Sequence, residues 1–97
     1  MKVQISESAV DDLMAGFRFY EEQQAGVGQY FLDSLFADID SLVLYAGVHQ
    51  DVKGYYRVIA RTFPFAIYYK IENKIVKVRR VLDCRRNPQW TRRQLRD

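Results

Sequence analysis

The 97-residue sequence has one cysteine, Cys84, and one histidine, His49. A lone cysteine excludes an intrachain disulfide, and it is typical of proteins in a reducing compartment. A lone histidine excludes a metal site built from several histidines, and it leaves Cys84 with little choice of a catalytic partner. We therefore expect no bound metal, and we interpret His49 as a solvated loop residue.

Long apolar runs and common catalytic motifs are also missing. No run of about 18 apolar residues is present, and the first residues lack the apolar segment of a signal peptide. We therefore expect a soluble, cytoplasmic protein with no membrane partner. The sequence has no glycine-rich phosphate loop, no G-x-S-x-G motif and no H-E-x-x-H motif, so we expect no cofactor.

The charges are unevenly distributed along the chain. Residues 1–52 contain two basic and nine acidic side chains, a net charge of −7. Residues 53–97 contain thirteen basic and three acidic side chains, a net charge of +10. This asymmetry favours contact between the C-terminal half and an anionic partner, either nucleic acid or an acidic protein segment. The alternative is that the acidic half neutralises the basic half within one domain.

The first half predicts a short strand followed by two amphipathic helices. Residues 3–5 alternate between apolar and polar, as in a strand. Ser6 or Ser8 can cap a first helix that ends near residue 24, before a pair of glycines. A second helix is predicted from residue 27 or 28 to residue 46. Three carboxylates on it lie off the apolar stripe and should face water: Asp33, Asp38 and Asp40.

In the second half the apolar period changes from 3.6 residues to two. A polar loop over residues 47–54 separates the helices from the first of three predicted strands. These strands cover residues 55–61, 65–71 and 75–83, and a short hairpin turn at residues 72–74 joins the last two. Consecutive strands with short links form most simply an antiparallel meander.

The length and the element order together predict the fold class. A chain of this length has room for one hydrophobic core, so we predict a single domain over residues 1–97. We predict an α+β fold with the element order β-α-α-β-β-β. An antiparallel two-helix hairpin should pack on a mainly antiparallel four-stranded sheet.

Arginine is the residue type that suggests a functional surface. Arg57 and Arg61 lie four residues apart on one predicted strand, so we expect both to project from the same face. Guanidinium groups bind phosphate or carboxylate through a fixed fork of donors, and a tryptophan ring offers a stacking surface. Alternatively, strand arginines cover the sheet with their stems and pair with helix carboxylates. A second group of arginines surrounds one tryptophan near the C-terminus: Arg85, Arg86, Trp90, Arg92 and Arg93.

Three segments of the sequence carry a resemblance to a known family. YRVIARTFPFAIYY, residues 56–69, is similar to the hallmark strand pair of the RelE/ParE toxin family. VLDCRRNP, residues 81–88, is similar to its closing strand, in which a basic pair precedes Asn or Asp and then Pro. The family's opening spacing is similar to that of Ser6, Ala9, Asp12 and Leu13. The resemblance covers nearly the whole chain and implies the toxin half of a type II toxin–antitoxin module.

This resemblance implies two kinds of target. ParE-like members poison DNA gyrase. RelE-like members cleave mRNA on the ribosome without a metal, using basic side chains and usually a C-terminal tyrosine or another acid/base group. No tyrosine follows Tyr69 here, and Trp90 cannot act as an acid or base, so we favour the ParE-like interpretation. If the protein is instead an endoribonuclease, its candidate catalytic residues are Arg57, Arg61, Arg85 and Arg86.

The resemblance also implies a partner that controls the toxin. A cognate antitoxin with an amphipathic, acidic segment is expected to bind and neutralise it, as in modules that stabilise plasmids. A third alternative is a non-toxic protein that only binds such a partner. The candidate target-binding residues are Arg57, Arg61, Arg85, Arg86, Trp90, Arg92 and Arg93.

Overall fold

The computed structural model describes residues 1–96, which form one sheet and four helices. The strands lie in the order β1-β5-β4-β3-β2, with β1 parallel to β5 and the other pairs antiparallel. The predicted helical hairpin on a mainly antiparallel sheet is therefore confirmed. The elements are β1 (Lys2–Ile5), α1 (Glu7–Gln23), α2 (Val27–Asp40), α3 (Leu42–Tyr45), β2 (Gln50–Val52), β3 (Tyr55–Ile59), β4 (Phe65–Glu72), β5 (Ile75–Asp83) and α4 (Pro88–Gln94).

The sheet has five strands in the described chain, so the prediction of four was wrong. The additional strand, β2, lies in the segment predicted to be a polar loop. It forms a tight hairpin with β3 through Lys53 and Gly54, both of which have positive φ angles, 56° and 84°. Two successive positive φ values match the right-handed twist of the paired strands. Three mostly polar residues at a sheet edge show too little alternation to be recognised from sequence.

The helical hairpin selects one of the predicted cap residues and differs from its prediction at one point. Of Ser6 and Ser8, Ser6 caps α1, because the Ser6 hydroxyl accepts the Ala9 N–H at 3.1 Å. The predicted second helix is divided at Ser41 into α2 and α3. The Ser41 hydroxyl donates to the Asp38 carbonyl oxygen at 2.6 Å, and such local side-chain bonds compete with helical backbone bonds.

The sheet has apolar side chains on both faces. The helical hairpin covers the inner face, where the largest buried side chains include Leu13, Phe31, Leu35, Ile67 and Tyr69. The outer face carries a smaller apolar cluster. Leu95, which directly follows α4, packs there against four strand residues: Tyr55, Ala66, Tyr68 and Leu82. Sequence periodicity did not reveal α4, because it is only seven residues long. No helix in the described part of the chain is long and apolar enough to cross a membrane.

A bulge in β5 decides which side chains face each layer. Tyr68 pairs with Arg80 while Tyr69 pairs with Val78, so β5 has one extra residue, Arg79, at this point. Val78 and Val81 consequently both join the inner core, although alternation predicts opposite faces for them. Arg80 turns to the outer layer, where its Nη1 donates to the Gln94 carbonyl oxygen at 3.0 Å.

Candidate functional site

A basic groove lies on the outer face of the sheet, between β3 and α4. Its volume is about 250 Å³. Tyr68 and Leu95 contribute to its apolar floor, and no carboxylate lines it within residues 1–96. We use the name basic groove for the surface formed by its four cationic side chains: Lys53, Arg57, Arg86 and Arg92.

The hairpin of β2 and β3 positions two of these cations. Arg57 follows Tyr55 by two residues on β3, so both project to the outer face. The Arg57 Nη2 donates to the Gln50 side-chain oxygen on β2 at 3.1 Å. This partner is neutral, so it orients the guanidinium without cancelling its charge. Lys53 occupies the tight turn beside them.

Arg86 is positioned by the start of α4. The side chain of Asn87 caps this helix by accepting the Trp90 N–H at 2.9 Å. Trp90 is half-buried, and the Arg86 guanidinium carbon lies 4.1 Å from the centroid of its ring. Arg86 makes no ion pair with a carboxylate of residues 1–96. Arg86 is therefore positioned by contact with a ring, while the nearby Asp83 acts on it only through a longer-range electrostatic interaction.

Arg85, the neighbour of Arg86, is engaged with a carboxylate. Its Nε and Nη2 donate to the two carboxylate oxygens of Asp83 at 3.0 and 2.8 Å. This hydrogen bonding lowers the pKa of the Asp83 carboxyl and raises the pKa of Arg85. Arg85 does not line the basic groove. The sequence placed both arginines of the pair at the site, but the structure brings only Arg86 there.

Arg61 is also separate from the basic groove. Strand β3 ends at Ile59, so the prediction that Arg57 and Arg61 share a strand face was wrong. The Arg61 backbone N–H donates to Asp38 Oδ2 at 3.1 Å, and its side chain lies beside α2. Asp38 is only 8% exposed, so the expectation that it faces water was wrong as well. A carboxylate that closes a loop is buried despite its position off the apolar stripe.

The remaining C-terminal arginines extend the basic groove. A shallow depression of about 500 Å³ adjoins it and shares Lys53, Arg92 and Leu95 with it. Arg93 and Arg96 line this depression, and none of its described lining residues is acidic. Together the two depressions form a continuous cationic surface along α4.

Ion pairs within residues 1–96 engage two strand arginines, Arg79 and Arg80, but none of the groove cations. Asp12 on α1 binds Arg80 Nε and Nη2 at 2.8 Å each. The alternative in which helix carboxylates pair with strand arginines therefore holds for Arg80. It does not hold for Arg57, whose partner is Gln50.

His49 lies at the opposite side of the sheet and is not a solvated loop residue. It is half-buried, and its Nδ1 is hydrogen-bonded to the hydroxyl of Tyr69, which also accepts the Gly47 N–H at 2.9 Å. Burial raises the pKa of the Tyr69 hydroxyl. This cluster attaches the loop after α3 to the core.

Among the charged and thiol side chains that line the groove, the sequence interpretation missed two, Lys53 and Cys84. The Lys53-Gly54 pair that marks the turn also places Lys53 at the groove, and this signal was available in the sequence. Cys84 also lines the groove. Burial, and to a smaller extent the negative charge of Asp83, raises the pKa of its thiol. Within residues 1–96 no cluster of histidine, cysteine and carboxylate side chains could hold a metal ion.

The fold has a counterpart among solved structures. A chain described as "Chromosomal ParDE TA system from P. aeruginosa" superposes with a TM-score of 0.77 and 17% sequence identity. The match covers 84% of this chain and 92% of that chain, and at this identity it shows a shared fold. Among curated proteins, none matches the sequence.

The sequence itself assigns the family. Residues 3–88 match the family described as "ParE toxin of type II toxin-antitoxin system, parDE". Because this match covers most of the chain, the chain belongs to the ParE toxin family. The predicted resemblance to RelE/ParE toxins, with a ParE-like member favoured, is thereby confirmed, and the protein is a toxin of the type II class.

Proposed function

We propose that this ParE-family toxin inhibits bacterial growth by poisoning DNA gyrase, and that it does so by binding rather than by catalysis. The basic groove is the observation that carries the proposal. Its four cationic side chains have no carboxylate among their described neighbours in the lining, so they are available to phosphate groups. Arginine forks suit phosphate oxygens in both geometry and charge.

Poisoning requires that the toxin bind one state of gyrase more tightly than another. A ligand shifts an equilibrium only by the difference in its affinity for the two states. A tenfold preference for the cleaved gyrase–DNA complex shifts the balance by about 1.4 kcal/mol. In the proposed mechanism, cations of the basic groove contact DNA phosphates that the cleaved complex exposes and thereby delay resealing.

We also propose that a cognate antitoxin neutralises the toxin through an amphipathic, acidic segment. Two features of the surface support this partner. The cationic surface along α4 attracts acidic side chains. The helical hairpin exposes apolar side chains that an amphipathic segment could cover: Val10, Met14, Phe36 and Val43. The complex would form in the cytoplasm, and a plasmid encoding the pair would be stabilised by it.

Growth and cleavage assays test the proposal. Induced alone in a bacterial host, the protein should stop growth, and co-expression of the adjacent gene should restore it. Purified protein mixed with gyrase, ATP and plasmid should accumulate cleaved DNA, while mRNA on translating ribosomes stays intact. Codon-phased mRNA cuts would instead identify an endoribonuclease. Normal growth despite verified soluble expression would favour the non-toxic binding protein.

A further inference from the structure

We infer that the basic groove binds the phosphate backbone of duplex DNA directly, without gyrase, and that Trp90 is a positioning residue that holds Arg86 for this contact. The inference deepens the proposed function and rests on it, since it names the ligand class of the same groove. It also assigns unequal roles to the two arginines that follow β5.

The first argument is the difference between Arg85 and Arg86. Arg85 is bound by both carboxylate oxygens of Asp83, so a phosphate would have to compete with a nearby acid. Arg86 makes no ion pair with a carboxylate of residues 1–96, and Asp83 acts on it only through a longer-range electrostatic interaction. Adjacent arginines of equal charge therefore differ in their availability to an anion, and only Arg86 lines the groove.

The second argument is that Arg86 is already ordered. Its guanidinium lies against the Trp90 ring, which the Asn87 cap fixes at the start of α4. The buried Leu95 then anchors the end of the same helix on the outer face. A free arginine loses substantial rotamer freedom when it binds, and prior ordering reduces that cost. Stacking leaves the edge donors of the guanidinium free for phosphate oxygens.

The third argument favours duplex over single-stranded nucleic acid. Proteins that bind single strands stack the bases on exposed aromatic rings. The one aromatic side chain in the described lining of the groove is Tyr68, and it is only 4% exposed. Trp90, beside the groove, already has one ring face covered by Arg86. Cations in a groove whose described lining has no exposed aromatic ring suit a duplex, whose phosphates are outside and whose bases are inside.

A double-mutant cycle on the full-length protein tests the positioning role. The affinity for a short fluorescent DNA duplex is measured by anisotropy at several salt concentrations for wild type, Arg86→Gln, Trp90→Leu and the double variant. Arg86→Gln should reduce the slope of log affinity against log salt by about 0.9. Trp90→Leu should weaken binding about two- to fivefold, the value of a lost cation–π contact at an exposed site.

The pattern among the variants decides the outcome. If Trp90 acts through Arg86, the double variant binds no more weakly than Arg86→Gln alone. Additive losses would mean that Trp90 contacts DNA itself, which overturns the positioning role. Trp90→Phe keeps a ring under Arg86 and should restore most of the affinity, and it guards against misfolding of the leucine variant. Arg18 is an exposed residue of α1, and Arg18→Gln removes the same charge as Arg86→Gln. This control variant should bind like wild type.

The fluorescence of Trp90 provides an independent readout, because it is the only tryptophan in the chain. Arg86→Gln should change its emission in the free protein, whereas Arg85→Gln should not. Unchanged emission in Arg86→Gln would show that the stacking is absent in solution and would overturn the inference.

Two other results would overturn the duplex assignment: no binding of duplex by wild type, or tighter binding of a single-stranded RNA. Gyrase-dependent cleavage is measured separately on the same wild-type preparation. Cleavage without duplex binding refutes the inference and leaves the proposed function standing, whereas duplex binding without cleavage does the reverse.

Discussion

At Asp12 a single carboxylate joins α1 to β5. It binds Arg80 through two bonds of 2.8 Å and also accepts the Val81 N–H at 2.9 Å, with only 13% of its side chain exposed. We expect Asp12→Ala to lower the free energy of unfolding by about 2–3 kcal/mol, because it leaves a half-buried guanidinium and a strand amide unpaired. Urea denaturation measures this loss.

The exposed ion pair between Glu72 and Lys77 provides a matched control for Asp12. These groups lie 3.1 Å apart, but 44% of the Glu72 side chain is exposed, so water competes for both. Glu72→Gln should therefore destabilise the protein less than Asp12→Ala. Equal losses at the two positions would contradict the assigned role of Asp12.

The hydroxyl of Tyr69 should make the free energy of unfolding depend on pH in the alkaline range. Burial raises the pKa of its hydroxyl in the folded state above the value of about 10 in the unfolded chain. Its contribution to stability is therefore fully present below about pH 10 and is lost as the pH rises through the folded-state pKa. The difference between the urea midpoints of wild type and Tyr69→Phe should be smaller at about pH 11 than at about pH 7. A gap that stays constant would count against this burial effect.

The roles of individual polar residues were the hardest feature to predict from sequence. Asp38 lies off the apolar stripe of its helix, yet it is buried because the chain after β3 returns to it. Arg85 lies two residues after Asp83, but spacing alone does not show whether the two side chains meet. The basic character of Arg57, Arg86 and Arg92 was visible in the sequence, whereas their shared groove depends on tertiary packing.

Among the elements, α1 and α2 approach closely at Gly16. A Cβ atom at this position would lie 2.4 Å from the ring of Phe31, which is fully buried and packed against Phe63 and Phe65. Alanine ordinarily stabilises a helix interior by about 1 kcal/mol relative to glycine. Here we expect Gly16→Ala to destabilise by about 1–3 kcal/mol through overpacking. Thermal denaturation checks the sign, and a stabilised variant would refute the close approach.

The elements that could be predicted from the sequence are those in which apolar residues recur at a regular spacing. The apolar spacing of α1 and α2 and the alternation in β3, β4 and β5 predicted their existence and order. Strand β2 and helix α4 could not be predicted, because each is short and gains its stability from a neighbour. The helix depends on Leu95 packing against Tyr55 and Tyr68, and such long-range contacts leave no periodic signal.

In the whole molecule the charge asymmetry of the sequence becomes an asymmetry between surfaces. The acidic residues of the first half lie mainly on the helical hairpin, which covers the inner face of the sheet. The cations of the second half concentrate on the outer face, along α4. The two halves pack together without cancelling each other at the groove. This separation is the basis for the proposed contact with an anionic target.

Gyrase-dependent DNA cleavage by groove variants tests this central claim most directly. The groove variant carries Arg57→Gln and Arg92→Gln, and its control carries Lys2→Gln and Arg18→Gln, which remove the same charge from exposed positions elsewhere. Each lost contact to a charged group costs about 1.5 kcal/mol or more. The groove variant should therefore need at least about tenfold more protein for the same cleavage, with its fold retained by circular dichroism. The control should match wild type. Wild-type cleavage by the groove variant would contradict the account, and so would an equal loss in the control.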